Sequence, residues 1–375
     1  MTLFIIARKY SRILGIQEVK LPNFLQGFPA QSGYRTLVLI SIMFNLIAPS
    51  LYVILEPTTF EVFAEVLTIV VGVFCVTLSY IVLILDKDGI YQLLDSIDLM
   101  IECRNENRPV HKEAHRKYFQ WTKRIETIWI KIILPTFASS NMIVSYFIIP
   151  YDWRTPIRFF FTYILQSAEI YYGSFTYFLT AQMFVGVCWF LLSLISDFEL
   201  SVRNFDQDIV NANGQFTHSS RIEFKERFVK LITFHSDIKK LLLQFSNVYR
   251  KITSIVLGIN SMFICGSLIL TQVSIATHNY SSSYKFLNVI WVFTTWLYLV
   301  CSFGDRVTMR LIDINDIIFD CAWYRYPIKL RQFQLMMMMS AQQPIYIEGY
   351  LNYKCTLETF KKVMNKLIAI RRGMK

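Results

Sequence analysis

Residues 173–195 read GSFTYFLTAQMFVGVCWFLLSLI, 23 positions without one charged side chain. As a helix this run is about 34 Å long at 1.5 Å per residue, enough to cross the roughly 30 Å of hydrocarbon in a bilayer. A helix on a water-soluble domain keeps charges on its outer face, and this run has none to offer. Working outward, five more runs read the same way, at approximately 36–55, 62–85, 128–149, 253–276 and 286–303. Lys131 falls near one end of the third span in chain order, where its stem can carry the ammonium to the headgroups. The composition agrees: 54% of the 375 residues are hydrophobic and 17% are charged, against roughly 25% charged in a soluble chain. The chain is therefore expected to be all-α and polytopic in a membrane.

The formal charge of +11 raises nucleic acid as a partner. The basic residues sit between the apolar runs, however, so topology explains them better and no nucleic-acid partner is expected. Segments 1–35, 86–127, 196–252 and 304–345 hold 27 Lys and Arg, whereas 56–61, 150–172 and 277–285 hold three. Positive residues stay in the cytoplasm, so the N-terminus is expected there. The one Asn-x-Ser/Thr sequon, Asn279-Tyr280-Ser281, falls in a segment this rule puts outside, making Asn279 a glycosylation candidate. The N-terminal stretch lacks the apolar core and cleavage site of a signal peptide, so the first span is expected to target the chain.

A seventh segment, 350–370, has a different character. Lys354, Glu358, Lys362 and Lys366 recur every fourth position, which on a helix forms one polar stripe. Such a helix is either a cytosolic amphipathic helix or one lying on a membrane surface, or it spans the membrane with the stripe facing water inside an assembly. The stripe alone fits both.

Catalytic signatures are missing: there is no GxSxG, P-loop, HExxH or GxGxxG. His111 and His115 stand four apart without a third ligand, and a solvated helical face explains them better than a metal. The seven cysteines form no CxxC pair and read as buried or cytosolic thiols. Neither an enzyme, nor a metal, nor a cofactor is expected.

The last 75 residues carry an ordered series of short elements. Gly304-Asp305 ends the sixth span, and an Asn/Asp-rich helix follows. Then come Trp323, Tyr324 and Pro327, the basic Arg331, a Met-rich turn from Met336 to Met339, and Ala341-Gln342 with Pro344. Gly349 and the run Leu357-Glu358-Thr359-Phe360, with Val363 after it, complete the series. In order and spacing this resembles the insect odorant receptor family. One departure is Ile368-Ala369, where members often carry a Tyr-Ser pair.

The resemblance implies seven transmembrane helices, with the N-terminus cytoplasmic and the C-terminus extracellular. It implies a tetrameric cation channel whose last helix lines the pore, which decides the reading of 350–370. It also implies three regions: a ligand-binding bundle at 1–303, a cytosolic anchor between subunits at 304–345, and the pore helix with a short tail at 346–375. The loop 196–252 is shorter than in the family's co-receptor, so this chain is expected to be a tuning subunit that pairs with co-receptor subunits in the plasma membrane of an olfactory dendrite. Its ligand is expected to be a small volatile, an aromatic one being favoured, bound among the outer halves of spans two, three, four and six. The expected lining is Val70, Phe74, Asn141, Ser145, Tyr146, Tyr171, Ser174, Phe175, Phe178, Trp291, Thr294 and Thr295. Lys354, Glu358, Lys362, Lys366 and Arg372 are expected along the pore, and Trp323, Tyr324, Met336, Met339 and Gln342 at the subunit interface. A metabotropic receptor is the alternative; a gustatory receptor or a transporter fits less well, since their last-span pattern and inverted repeats are missing.

Overall fold

The computed structural model describes residues 60–103, 156–204, 218–320, 328–343, 345–350 and 353–373, with scattered positions at 40–54 and 116–131. The expected first and third spans therefore lie almost wholly outside the described residues. The described elements are helices. They are α1 (Phe60–Leu85), α2 (Lys87–Cys103), α3 (Pro156–Arg203), α4 (His218–Ser254), a π-turn (Ile255–Ile259), α5 (Asn260–Ala276), α6 (Tyr280–Phe319), α7 (Ile328–Ala341) and α8 (Leu357–Gly373). Among the described residues three helices are long and apolar enough to cross a membrane, or four if the bent pair α1–α2 counts as one span.

The expected spans 62–85, 173–195, 253–276 and 286–303 each fall inside one of these helices or, for the third of them, on the π-turn and α5. α3 and α6 run well past the apolar windows, to Arg203 and Phe319. Their extensions are amphipathic, and α6 buries Val307, Leu311, Ile314 and Ile318 at helical spacing. At Asp86 the chain turns by 64° from α1 into α2. The Asp86 carboxylate meets the Lys251 ammonium of α4 at 2.7 Å and holds the corner. α2 then lays Ile90, Leu93, Leu94 and Ile97 into the core, an i, i+3, i+4, i+7 stripe.

α5 and α6 form an antiparallel pair around a short turn. His278 takes a positive φ of 58° there, and the Asn279 Oδ1 accepts the Ser282 N–H at 3.3 Å to cap α6.

The stretch before α8 differs from expectation. Instead of a helix beginning near 350, Glu348 and Lys354 pair in an antiparallel bridge. Gly349 N–H donates to Tyr353 O at 2.8 Å and Cys355 N–H to Ile347 O at 2.9 Å. The helix starts only at Leu357, where Thr356 Oγ1 accepts the Thr359 N–H at 3.3 Å. Lys354 is therefore not part of the helical stripe; its ammonium lies 3.7 Å from the centroid of the Tyr346 ring.

A polar stripe on α4 docks this segment. Lys239 Nζ donates to Ser340 O (2.7 Å) and to Ser340 Oγ (3.0 Å), capping the C-terminal end of α7. Ser246 Oγ donates to Tyr346 O and accepts from Glu348 N–H, both at 3.4 Å. Ser254 Oγ donates to Arg250 O and accepts the Tyr350 N–H. Thr253 Oγ1 lies 3.5 Å from Glu348 O. Lys239, Ser246 and Thr253 stand seven apart, two helical turns each, so one face of α4 tracks the chain from α7 toward α8.

Beyond the apolar span, His235 on α4 is buried with its ring 5.7 Å from that of Phe198. Burial, then the Lys239 charge, lowers its pKa from 6.5 to about 4. The unfolded chain therefore binds the extra proton first, so stability is full above pH 6.5 and is lost as pH falls toward 4. Taking the solubilised protein from pH 7.5 to pH 5 should cost about 2 kcal/mol through this group. His235→Leu should flatten that part of the pH profile of thermal unfolding; an unchanged slope would remove His235 as its source.

Candidate ligand site

The site begins with a single amide side chain in a largely apolar run. In SIVLGINSMFIC (254–265) the only amide is Asn260. The π-turn before it closes with the Asn260 N–H donating to Ile255 O, five residues back, and Asn260 follows as the first residue of α5. Such turns recur at functional sites because they re-aim one helical face. Asn260 is fully buried. Its Oδ1 accepts the Tyr177 hydroxyl of α3 at 3.3 Å, and its Nδ2 has no partner among the described residues.

Aromatic rings from three helices gather beside this amide. Phe293 of α6 meets Phe263 of α5 at 4.7 Å and 79°, and Tyr177 of α3 at 5.4 Å and 87°. Both are edge-to-face contacts, the favoured arrangement for ring quadrupoles. α1 closes the fourth side through Gly72, where an added Cβ would stand 2.9 Å from the tip of the Phe263 ring. Five more buried polar atoms on α5 and α6 have no partner among the described residues: Ser267 Oγ, Asn288 Nδ2, Thr294 Oγ1, Trp296 Nε1 and Asn315 Oδ1. Ser267 is two turns from Asn260 on the same buried face of α5. Each such group left unsatisfied costs about 1–3 kcal/mol.

An apolar wall of rings with a few convergent polar atoms suits a small aromatic molecule carrying an oxygen. Among the described residues no group of three His, Cys, Asp or Glu side chains is placed to hold a metal.

The family model for the 7tm odorant receptor matches residues 59–367. The chain belongs to the odorant receptor family. This is a receptor family and not an enzyme family, and it makes the receptor a multi-pass membrane protein. Two solved structures share the fold. The olfactory receptor OR5 from Machilis hrabei in complex with eugenol aligns with a TM-score of 0.71 at 11% identity, over 98% of this chain and 97% of that one. The same receptor described without eugenol aligns with a TM-score of 0.70 over the same shares. At that identity the likeness is one of fold.

The receptor's expected site residues divide into three groups. Phe178 is buried next to Tyr177, Val70 is half-buried on α1, and Thr294 puts its hydroxyl into the interior beside Phe293. Phe74 (46% exposed), Trp291 (56% exposed) and Thr295 point out of the bundle and do not join the cluster. The reason is helical phase: α6 turns Phe293, Trp296, Leu297 and Val300 inward, which leaves 291 and 295 on the far side. The side chains of Tyr171, Ser174 and Phe175 on α3, and Asn141, Ser145 and Tyr146 altogether, lie outside the described residues.

Tyr177, Asn260, Phe263 and Phe293 were missing from the sequence-based lining. The expected lining takes nothing from the fifth span, yet its amide is the available signal, since polar side chains within a membrane are costly.

On α8, Phe360, Val363, Met364 and Leu367 face the bundle, with Phe360 5.6 Å from Tyr298. Glu358, Lys361, Lys362 and Lys366 are exposed, and Lys362 pairs with Glu358 at 2.7 Å. The side chain of Arg372 lies outside the described residues, as do Trp323 and Tyr324 entirely. On α7, Met336 (65%) and Met339 (62%) are exposed, and Gln342 just beyond the helix is exposed too. Asn279 is exposed at the α5–α6 turn.

Proposed function

We propose that this receptor is the odorant-binding subunit of a heteromeric, ligand-gated, non-selective cation channel in the plasma membrane. The observation that carries the ligand reading is the cluster Tyr177–Phe293–Phe263 around the unpartnered amide nitrogen of Asn260. A small aromatic volatile stacks against the rings and accepts a hydrogen bond from that nitrogen. The eugenol named for the structural relative is a molecule of this kind. In the assembly the exposed face of α8 borders the pore. The 304–345 region joins subunits through Met336 and Met339, whose exposure alone would be unfavourable in water. The partners are co-receptor subunits, the N-terminus is cytoplasmic and the C-terminus extracellular. Asn279 is then on the side where glycans are added.

The test is a panel of aromatic and aliphatic volatiles, eugenol included, applied to cells that express this chain with the co-receptor. Aromatic volatiles carrying an oxygen are expected to evoke the largest currents. Silence across the aromatic panel, with the co-receptor responsive to its own agonist, would sink the proposal.

The pore reading has its own consequence. A cation passing about 8 Å from one lysine feels roughly 0.5 kcal/mol of repulsion in bulk water, and a divalent cation about twice that. Changing Lys361, Lys362 and Lys366 together to Gln should raise calcium permeability relative to sodium while leaving volatile potency within about twofold, because the site lies on other helices and screening confines the charges' reach to about 8 Å. Reversal potentials that do not move in high external calcium would take this face out of the ion path.

A further inference from the structure

Two contacts bracket the π-turn, and they lead to different parts of the molecule. On one side Asn260 takes part in the ligand cluster through its bond to Tyr177. On the other side Ser254, the residue before the turn, accepts the Tyr350 N–H from the segment that leads into α8. The fit there is close: a Cβ on Gly349 would stand 2.8 Å from Ser254 Oγ and 3.2 Å from its backbone nitrogen. Arg250, one turn earlier, places its guanidinium 5.4 Å from the Tyr350 ring centroid. Within the turn, Ile255, Val256 and Leu257 are buried, whereas Gly258 is open, with nothing within 4 Å of an added Cβ.

A π-turn holds one residue more than an α-turn between bonded groups. Moving between the two registers rotates everything on one side of the turn by about 100° relative to the other. Discrete alternatives of this kind, and not gradual bending, are what packed helices pass on. We infer that the π-turn at Ile255–Ile259 is the joint through which occupancy of the ligand cluster reaches the last helix, with Ser254 as the positioning residue that transmits it. The inference rests on the channel reading above. It assigns to Ser254 a role that neither ligand contact nor pore lining would give it.

The experiment compares two currents in the same cells expressing this chain with the co-receptor: one evoked by the most potent volatile of the aromatic panel, the other by an agonist that acts through the co-receptor. Ser254→Ala removes the acceptor for Tyr350 N–H. It should lower the maximal volatile current about threefold to tenfold relative to the co-receptor current, the size expected from one hydrogen bond lost in one gating state. Ser254→Thr keeps the hydroxyl and should restore the ratio, which separates coupling from mere support of the fold. Surface labelling of both variants should match the unmodified chain. An unchanged ratio in Ser254→Ala, or a parallel fall of both currents, would overturn the inference. Failure of the channel reading looks different: the unmodified chain itself gives no volatile current, and the inference falls with it.

Discussion

Replacing Gly304 with alanine should cost the receptor about 3 kcal/mol, the upper end of the usual range for overpacking. The glycine sits where α6 crosses the segment just before α8. A Cβ there would stand 2.5 Å from the Cys355 carbonyl oxygen and 2.8 Å from the Cys355 Cβ. The first of these is backbone, tied by the Cys355 N–H to Ile347 O bond at 2.9 Å, and it cannot rotate away. One of the two elements has to move, and both are buried at this point. A cost of this size lowers the ratio of folded to unfolded receptor on the order of 100-fold. Thermal unfolding of the solubilised receptor reads it directly, and surface labelling reads its consequence. Gly89→Ala serves as the control, because its Cβ would meet only Val248 at 3.6 Å, an ordinary contact. Equal effects of the two substitutions would show that the close crossing at Gly304 is not what the fold depends on.

The second large effect is expected at Phe293. Phe293→Leu keeps most of the buried volume but removes both edge-to-face contacts, to Tyr177 and to Phe263. Each such contact is worth about 0.5–1.5 kcal/mol beyond burial. If the volatile stacks on these rings, losing their arrangement should raise its EC50 on the order of 10-fold to 100-fold. Asn260→Leu separates the polar part. It should weaken a ring volatile that carries a methoxy or hydroxyl oxygen by about 1–3 kcal/mol, because the amide nitrogen no longer donates. The hydrocarbon analogue of that volatile should lose much less. Paired concentration–response curves for the two volatiles check this, and equal shifts would mean that the amide does not touch the ligand.

The sequence made the spans legible because a bilayer leaves little choice: residues 173–195 have no charge to spend on an outer face. The same property hid the helical phase. A helix apolar all round gives no hint which side faces the bundle, so Phe74 and Trp291 are expected in the lining although their helices turn them outward and turn Phe263 and Phe293 inward. Asn260 is readable as the one amide in its run, and Gly304 and Gly349 as members of the ordered C-terminal series, but not the surfaces they meet. The stretch from 345 to 356 misled for a different reason. Lys354 continues the four-residue rhythm of Glu358, Lys362 and Lys366, so a bridge residue passed for helix. The counter-signal lay a hundred residues away, in Lys239, Ser246 and Thr253 on α4, whose spacing of seven makes sense only once the chain they hold is seen.

The most direct test of the proposed function is a recording from an excised, inside-out patch of membrane holding this receptor with the proposed co-receptor partner, bathed in solution free of nucleotides. A ligand-gated channel opens there when an aromatic volatile of the panel is applied, and the same patch carrying Phe293→Leu needs a higher concentration. A current that vanishes on excision and returns only with GTP would contradict the account, since it would place a G protein between the ligand site and the pore.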